Sequence, residues 1–512
     1  MLNLPLEPTD DRANPAFNNP ASCRKWLDQL QLTNVQAAHT ALRKQLEEFN
    51  RCTVRSLDRM QTLEVLQETI ENLQDDYSKR VYGKPLPLDK IEFGSLIAMI
   101  GLWQGLFNGY LRCLQSYQDG DRQLKSYGSV LCHRCMLYTG KQIFDFLHAG
   151  HEFAGAIWQQ LHTLYAYAEE HSLLNTHVQD ERDHRTTCHD TYLKILLSCQ
   201  ARPQELTRTQ QYLLDDWLSR WTPAITIDRT FTISKGDAPP LAIDLAGTHG
   251  LQQLMSGEPL DNPNMRYLAM IPVSKQLRVK TIMLQQGHTP RQVELGDDVR
   301  SEDCIELLTH VHKFWCEPRP QRAHERYDTT KKTTVCFGLE NIYACISNQS
   351  IDPKQTGAHE TWQTEEVSLL GARLLRLDTE GMRINANRII AARIEDDEKF
   401  RLGHIVWVSV MRNGQMHMGV RFLPGAPQAY VVNDAPTNSG EPRPRNAAIL
   451  LPAMSNLGIP ASLIIPRNIF KPGLELEISP PAGGGKAQIK VKLGFSVEKG
   501  VDYERVSFTS PP

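Results

Sequence analysis

Two short stretches of this chain concentrate side chains that recognise phosphate and nucleobase. The first runs Arg319-Pro320-Gln321-Arg322-Ala323-His324-Glu325-Arg326 and continues to Lys331 and Lys332. An arginine presents a planar fork of donors that matches phosphate oxygens and the O6/N7 edge of guanine, and its plane also stacks on a base. Arg322 and Arg326, four residues apart on an arm, can reach two sides of one small ligand. The second stretch, Glu366-Val367-Ser368-Leu369-Leu370-Gly371, reads acid-x-Ser-x-x-Gly between two strand-like segments. Its carboxylate can accept from a guanine N–H edge or orient an arginine, and its hydroxyl can donate to a phosphate. Its glycine permits positive φ and close backbone approach. Each stretch alone also fits a plainer reading. Cations beside Glu325 and Asp328 suit a solvated charged surface, and Ser with Gly suits an ordinary β-turn.

Together the two stretches resemble the PilZ domain family, whose signature is an Arg-x-x-x-Arg arm followed by an Asp/Asn-x-Ser-x-x-Gly turn on a small β-barrel. Arg322 and Arg326 match the arm, Ser368 and Gly371 match the turn, and Glu366 holds the acidic position. Phe400-Arg401-Leu402-Gly403-His404-Ile405-Val406-Trp407 and Met418-Gly419-Val420-Arg421-Phe422-Leu423 are similar to the closing strands, so the resemblance covers residues 318–425. The chain departs from the pattern in carrying Glu366 where the family has Asp or Asn. It departs again in the length of chain from Arg326 to Glu366, where Cys345–Thr361 reads as an inserted polar loop. The resemblance implies a receptor for cyclic di-GMP, with the nucleotide as ligand and no cofactor, no catalytic residue and no metal. It implies that Arg322 and Arg326 clamp guanine and phosphate, that Glu366 and Ser368 make polar contacts, and that Gly371 shapes the turn. Arg319 and Arg373 lie near enough in sequence to add contacts, without a motif position of their own. The arm is expected to order around the ligand, which would be the switch. The alternative is a ligand-free adaptor or structural protein whose PilZ-like module is degenerate.

The elements that must position these groups follow from periodicity. A 512-residue chain exceeds one hydrophobic core, so several domains are expected. Residues 1–21 read as a loose arm. From 22 to 222 apolar residues recur at helical spacing: Ala38, Leu42, Leu46 and Phe49; Leu63, Leu66, Ile70 and Leu73; Phe153, Ile157, Leu161 and Leu164; Leu214, Trp217, Leu218 and Trp221. That is an all-α bundle or array, with Asp89 placed to cap one helix. Pro223 marks a change of period. Residues 223–317 read as a small mixed α/β bridging module, with strand-like runs at Leu241–Leu245, Tyr267–Ile271 and Leu277–Leu284. Ser301 is placed there to cap a helix. The barrel is expected over 318–425, with Val335, Phe337 and Leu339 alternating and Ile405–Val410 read as a strand buried on both faces. A further β-rich segment fills 426–512, where Ile489, Val491, Leu493, Phe495 and Val497 are expected on one face. The fold class is thus multidomain α+β.

Composition restricts the partners. With 41% apolar and 22% charged residues and a net charge of −3, the chain is an ordinary globular protein and no bulk binder of DNA, RNA or membrane surfaces. Eleven cysteines without regular spacing suggest free thiols in a reducing cytoplasm, which the PilZ resemblance implies is bacterial. Phe93–Leu111 is nearly long enough to span a bilayer, but its glycines and amides favour a buried core helix. Cys132-His133-Arg134-Cys135 with His184, Cys188 and His189 lacks the spacing of a zinc site, and Gly483-Gly484-Gly485-Lys486 lacks the Ser/Thr of a phosphate loop. No nucleophile elbow, HExxH, kinase, cyclase or dinucleotide signature occurs, so the chain is not read as an enzyme. The helical half has the amphipathic faces to bind a partner protein or to self-associate.

Overall fold

A computed structural model describes residues 2, 4–180, 184–234, 237–254, 258–297, 299–318, 327–328, 330–347, 359–377, 381–433, 445–455, 458–481 and 488–510. The chain divides into two compact units, Met1–Lys84 with Leu88–Gln321, and Pro85–Pro87 with Arg322–Pro512.

In the first unit, helices α1 (Pro20–Leu27), α2 (Val35–Arg51), α3 (Ser56–Ser78), α4 (Lys90–Gln118), α5 (Gly128–His148), α6 (Gly155–Glu170), α7 (Cys188–Gln200) and α8 (Arg208–Trp221) follow in order. A two-residue hairpin, β1 (Val178–Gln179) with β2 (Arg185–Thr186), lies between α6 and α7. The apolar spacing decides their faces. Ala38, Leu42, Leu46 and Phe49 on α2 and Leu63, Leu66, Ile70 and Leu73 on α3 are all buried. Asp89 caps α4, accepting from the amides of Ile91 and Glu92 while Glu92 returns a bond to the Asp89 amide. Among the described residues no helix is long and apolar enough to cross a membrane, and α4 is instead buried along one side from Leu96 to Leu114.

Residues 223–317 supply a four-stranded antiparallel sheet in the order β3 (Ile227–Asp228), β6 (Met265–Leu268), β4 (Leu241–Asp244) and β5 (Gln252–Gln253). Helices α9 (Ile271–Gln285) and α10 (Ser301–Trp315) follow. This segment shares one hydrophobic core with the preceding helices. The Trp217 indole donates to the Leu295 carbonyl at 2.9 Å and the Trp315 indole to the Leu197 carbonyl at 3.0 Å. Two local expectations are corrected. Leu277–Leu284 is helical, because Val273, Leu277 and Leu284 fall on one buried face and Pro272 opens the helix. Ser301 is the first helical residue and not the cap; Arg300 precedes it and pairs with Asp303 at 2.9 Å.

The second unit holds two closed barrels. In the first, β8 (Lys332–Phe337), β9 (His359–Val367), β10 (Gly371–Arg376), β11 (Ile389–Ile394), β12 (Arg401–Val410) and β13 (Met416–Phe422) close in the order β8-β9-β10-β13-β12-β11. The short β7 (Tyr327–Asp328) is added on β9. Leu339 does not continue β8: Gly338, at φ +79°, turns the chain into α11 (Leu339–Ile346). Part of the expected polar loop from Cys345 is therefore helix, while 348–358 lie outside the described residues. Cys336 and Cys345 are joined as a disulfide, against the expectation of free thiols throughout; the other nine cysteines are free.

The second barrel is β14 (Gln428–Asn433), β15 (Arg445–Leu451), β16 (Ser462–Ile465), β17 (Glu475–Ser479), β18 (Ile489–Lys499) and β19 (Glu504–Thr509), closed in the order β14-β15-β16-β19-β18-β17. Val491 and Leu493 point into it, but Phe495 is 67% exposed and Val497 is exposed too. The register slips between Leu493 and Glu498 and ends the alternation. The two barrels share a core in which Leu339, Ile342, Ile389 and Leu402 meet Ile449, Ile464 and Tyr503. Polar contacts reinforce it: the Val501 amide donates to the Asn387 carbonyl at 2.8 Å, and Asp502 accepts from the Ile389 amide and Arg388.

Candidate functional site

The acid-x-Ser-x-x-Gly stretch is the β9–β10 hairpin of the first barrel. Its turn is closed by Ser368, whose amide donates to the Gly371 carbonyl at 2.9 Å and whose hydroxyl donates to the same oxygen at 3.2 Å. The hydroxyl proton is committed within the turn and the oxygen lone pairs remain as acceptors. Leu369 and Leu370 form the tip, 69% and 58% exposed.

Gly371 is required for a reason other than positive φ, and that expectation is corrected. It does not lie in the left-handed region. A Cβ there would stand 2.4 Å from the Val420 carbonyl oxygen of the neighbouring strand, a backbone atom that cannot swing aside.

Glu366 opposes Arg373 across β9–β10 and Asp328 across β7–β9. Residue 327, next in the chain after Arg326, opposes Val367, so the chain enters the barrel beside the hairpin. Arg319, Arg322 and Arg326 lie outside the described residues, as does the Gly483–Lys486 stretch.

Arg373 lies on the outer face with its side chain 39% exposed. Its Nε is 2.8 Å from Glu365 Oε2, yet no hydrogen bond is aligned there, so charge proximity holds the pair. His417 closes the cluster, its Nδ1 lying 3.3 Å from Arg373 Nη2 and 3.2 Å from Glu365 Oε2. Sequence reasoning singled out Glu366 and missed Glu365 and His417. Glu365 is the extra residue of a bulge in β9, which lets two consecutive glutamates oppose Arg373. The doublet Glu365-Glu366 ahead of Ser368 was the available signal. Further along the row stand Gly419 of β13, opposite Arg373, and Trp407 of β12, opposite Gly419.

Cys132, Cys135 and Cys188 are buried thiols in the helical core, and burial pushes the Cys135 thiol well up. Among the described residues no group of three or more His, Cys, Asp or Glu is placed to hold a metal ion.

A helical unit followed by paired barrels makes this a multidomain α+β protein, with cations, carboxylates and an indole on one outer face of the first barrel. Residues 21–230 match the family model described as the N-terminal domain of the cyclic-di-GMP receptor FimW, and residues 432–511 match the FimW C-terminal β-barrel domain. The helical region and the second barrel are thus each similar to a FimW domain, and the family named by the N-terminal model is one of cyclic di-GMP receptors. The N-terminal match covers the helical region, for which the sequence alone showed no resemblance, and neither model carries the PilZ name. No curated protein matches the chain.

Proposed function

We propose that this chain is a cyclic di-GMP receptor that takes its ligand on the outer face of the first barrel. The observation that carries the proposal is the position of that barrel. It lies between the two stretches matched to a cyclic di-GMP receptor family and bears the Glu366-x-Ser368-x-x-Gly371 hairpin beside the point where residue 327 enters. In this reading Arg322 and Arg326 clamp guanine and phosphate. Glu366 orients an arginine or accepts from a guanine N–H edge, Ser368 contributes polar contact, and Gly371 keeps the backbone free of a side chain. Arg373 and Arg319 add positive charge. The ligand is bound without chemical change, and the signal passes to a protein partner through the helical half. Exposed Ile91, Phe93 and Ile97 on the first turns of α4 offer apolar surface for that contact.

The test is isothermal titration of the full chain with cyclic di-GMP beside the Arg322→Ala/Arg326→Ala variant. Binding by the wild type alone is expected. A folded wild type that takes up no ligand would overturn the proposal. The second reading, a ligand-free adaptor, is favoured by the internal engagement of the Ser368 hydroxyl and of Arg373, and by Glu366 in place of Asp. It predicts that failure.

A further inference from the structure

Trp407 has no part in the motif. Without interruption, the register that sets Ile405 opposite Val420 would set Val406 opposite Gly419 and turn Trp407 to the barrel interior beside Met418. Val406 is instead an extra residue, and the bulge carries Trp407 opposite Gly419 on the outer face, while Val408 takes the interior place opposite Met418. Glu366, Arg373, Gly419 and Trp407 thus form one row across β9, β10, β13 and β12. A bulge stands at each end of that row, one re-aiming a glutamate and the other an indole.

The indole lies close against the strand. A Cβ on residue 419 would stand 2.2 Å from Trp407 Nε1 and 2.4 Å from Cε2, so the ring occupies the space that a side chain would fill. Trp407 as a whole is half-buried. Arg421, opposite Gly371 and two residues along the same strand face from Gly419, is exposed. A half-buried indole held against a sheet, with Arg373 across Gly419 in its row and Arg421 two residues along the same strand, suits a purine base of a polyanionic ligand. The ring supplies stacking area, and the guanidinium groups meet the phosphates and the base edge.

We infer that Trp407 is the stacking platform for one guanine of the bound dinucleotide, with Arg421 as its cationic neighbour. This rests on the proposal that the ligand binds this barrel. Gly419 is a positioning residue, because any side chain there displaces the indole.

The experiment titrates cyclic di-GMP into the full-length wild type, Trp407→Phe, Trp407→Leu, Gly419→Ala and Arg322→Ala/Arg326→Ala, with heat and tryptophan fluorescence as readouts and thermal midpoints as folding controls. Loss of one base-stacking contact predicts at least about fivefold weaker binding in Trp407→Leu. Gly419→Ala is expected to weaken binding similarly, although its tryptophan is intact. Trp407→Phe is expected to retain binding within a few-fold and to lose the ligand-induced quench seen in the wild type. If the wild type binds, the arginine variant does not, and Trp407→Leu binds as the wild type does, Trp407 only covers Gly419 and the platform is refuted. An unchanged quench in Trp407→Phe refutes it as well, even if the leucine variant fails to fold. No binding by the wild type overturns the barrel site itself, a result distinct from the other two.

Discussion

A buried ion pair in the first barrel can be broken by one substitution, Glu360→Gln. Arg376 is buried at 3% side-chain exposure, and its Nε and Nη2 reach the Glu360 carboxylate at 3.1 and 2.8 Å. The same carboxylate accepts from the Trp362 indole at 3.0 Å and the Met382 amide at 2.5 Å, while Arg376 Nη2 donates to the Met382 carbonyl at 2.6 Å. The guanidinium lies 5.0 Å from the centre of the Trp362 ring. Glutamine keeps the shape, but it removes the countercharge and turns a donor toward other donors. Leaving one member of a buried pair without its partner costs about 3–5 kcal/mol. A cost near 4 kcal/mol makes opening of the barrel about a thousandfold more frequent. Because the chain has two units, a local probe is preferable to a global melt. Amide exchange in peptides spanning 359–377 should accelerate by about that factor wherever exchange goes through opening of the barrel. Arg376→Met added to Glu360→Gln should restore most of the protection, since neither charge is then stranded. Acceleration below about tenfold in the single variant, or no recovery in the double, would refute this account of the pair.

Gly371→Ala places its methyl on the Val420 carbonyl and should part β10 from β13, with increased exchange in both strands and loss of ligand binding together, read by exchange and titration. In the helical unit, burial pushes the Asp145 carboxyl up to about 6, although hydrogen bonds from Tyr82 and Trp103 pull the other way. The folded carboxyl therefore holds its proton to about pH 6, whereas the unfolded one releases it near pH 4, so Asp145 stabilises most in acid. That contribution is lost as pH rises from about 4 to 6, a change of about 3 kcal/mol. His148 and His151, both pushed down to about 4 by burial, act in the opposite sense over an overlapping window. The prediction is accordingly for a difference: Asp145→Asn should gain stability relative to the wild type as pH is raised from about 4 to 6, measured by denaturant unfolding, and a pH-independent difference would count against it.

The helical half was legible because its long helices satisfy their own backbone and bury one stripe. The spacing of Leu63, Leu66, Ile70 and Leu73 has few other solutions. Helix α9 was not, because Val279, Thr281 and Ile282 give it a strand-like composition while its packing is decided by Leu277 and Leu284. The barrels were legible as strands but not as faces. In β12 the unbroken run Ile405–Val410 comes from a bulge that resets the alternation, so Val406 and Trp407 are only half-buried, and the strand is not buried on both faces. The same cause misled the reading of Phe495 and Val497 in β18. At the candidate site the hairpin of Glu366, Ser368 and Gly371 was visible as a local pattern. Glu365, His417 and Trp407 join it only through the register of four strands, which no local spacing encodes.

The core shared by the barrels has a bearing on how this protein can be dissected. The FimW C-terminal match begins at 432, a natural place to cut on sequence grounds. A fragment ending there would lose Ile449, Ile464 and Tyr503, and with them the cover over Ile389 and Leu402 and the anchor that Asp502 provides for Arg388. Such a fragment would present a freshly opened apolar surface to its neighbours and would be prone to aggregate, so a negative binding result obtained with it would be uninformative. The homology boundary and the mechanical boundary differ here. The smallest piece on which ligand studies make sense retains both barrels.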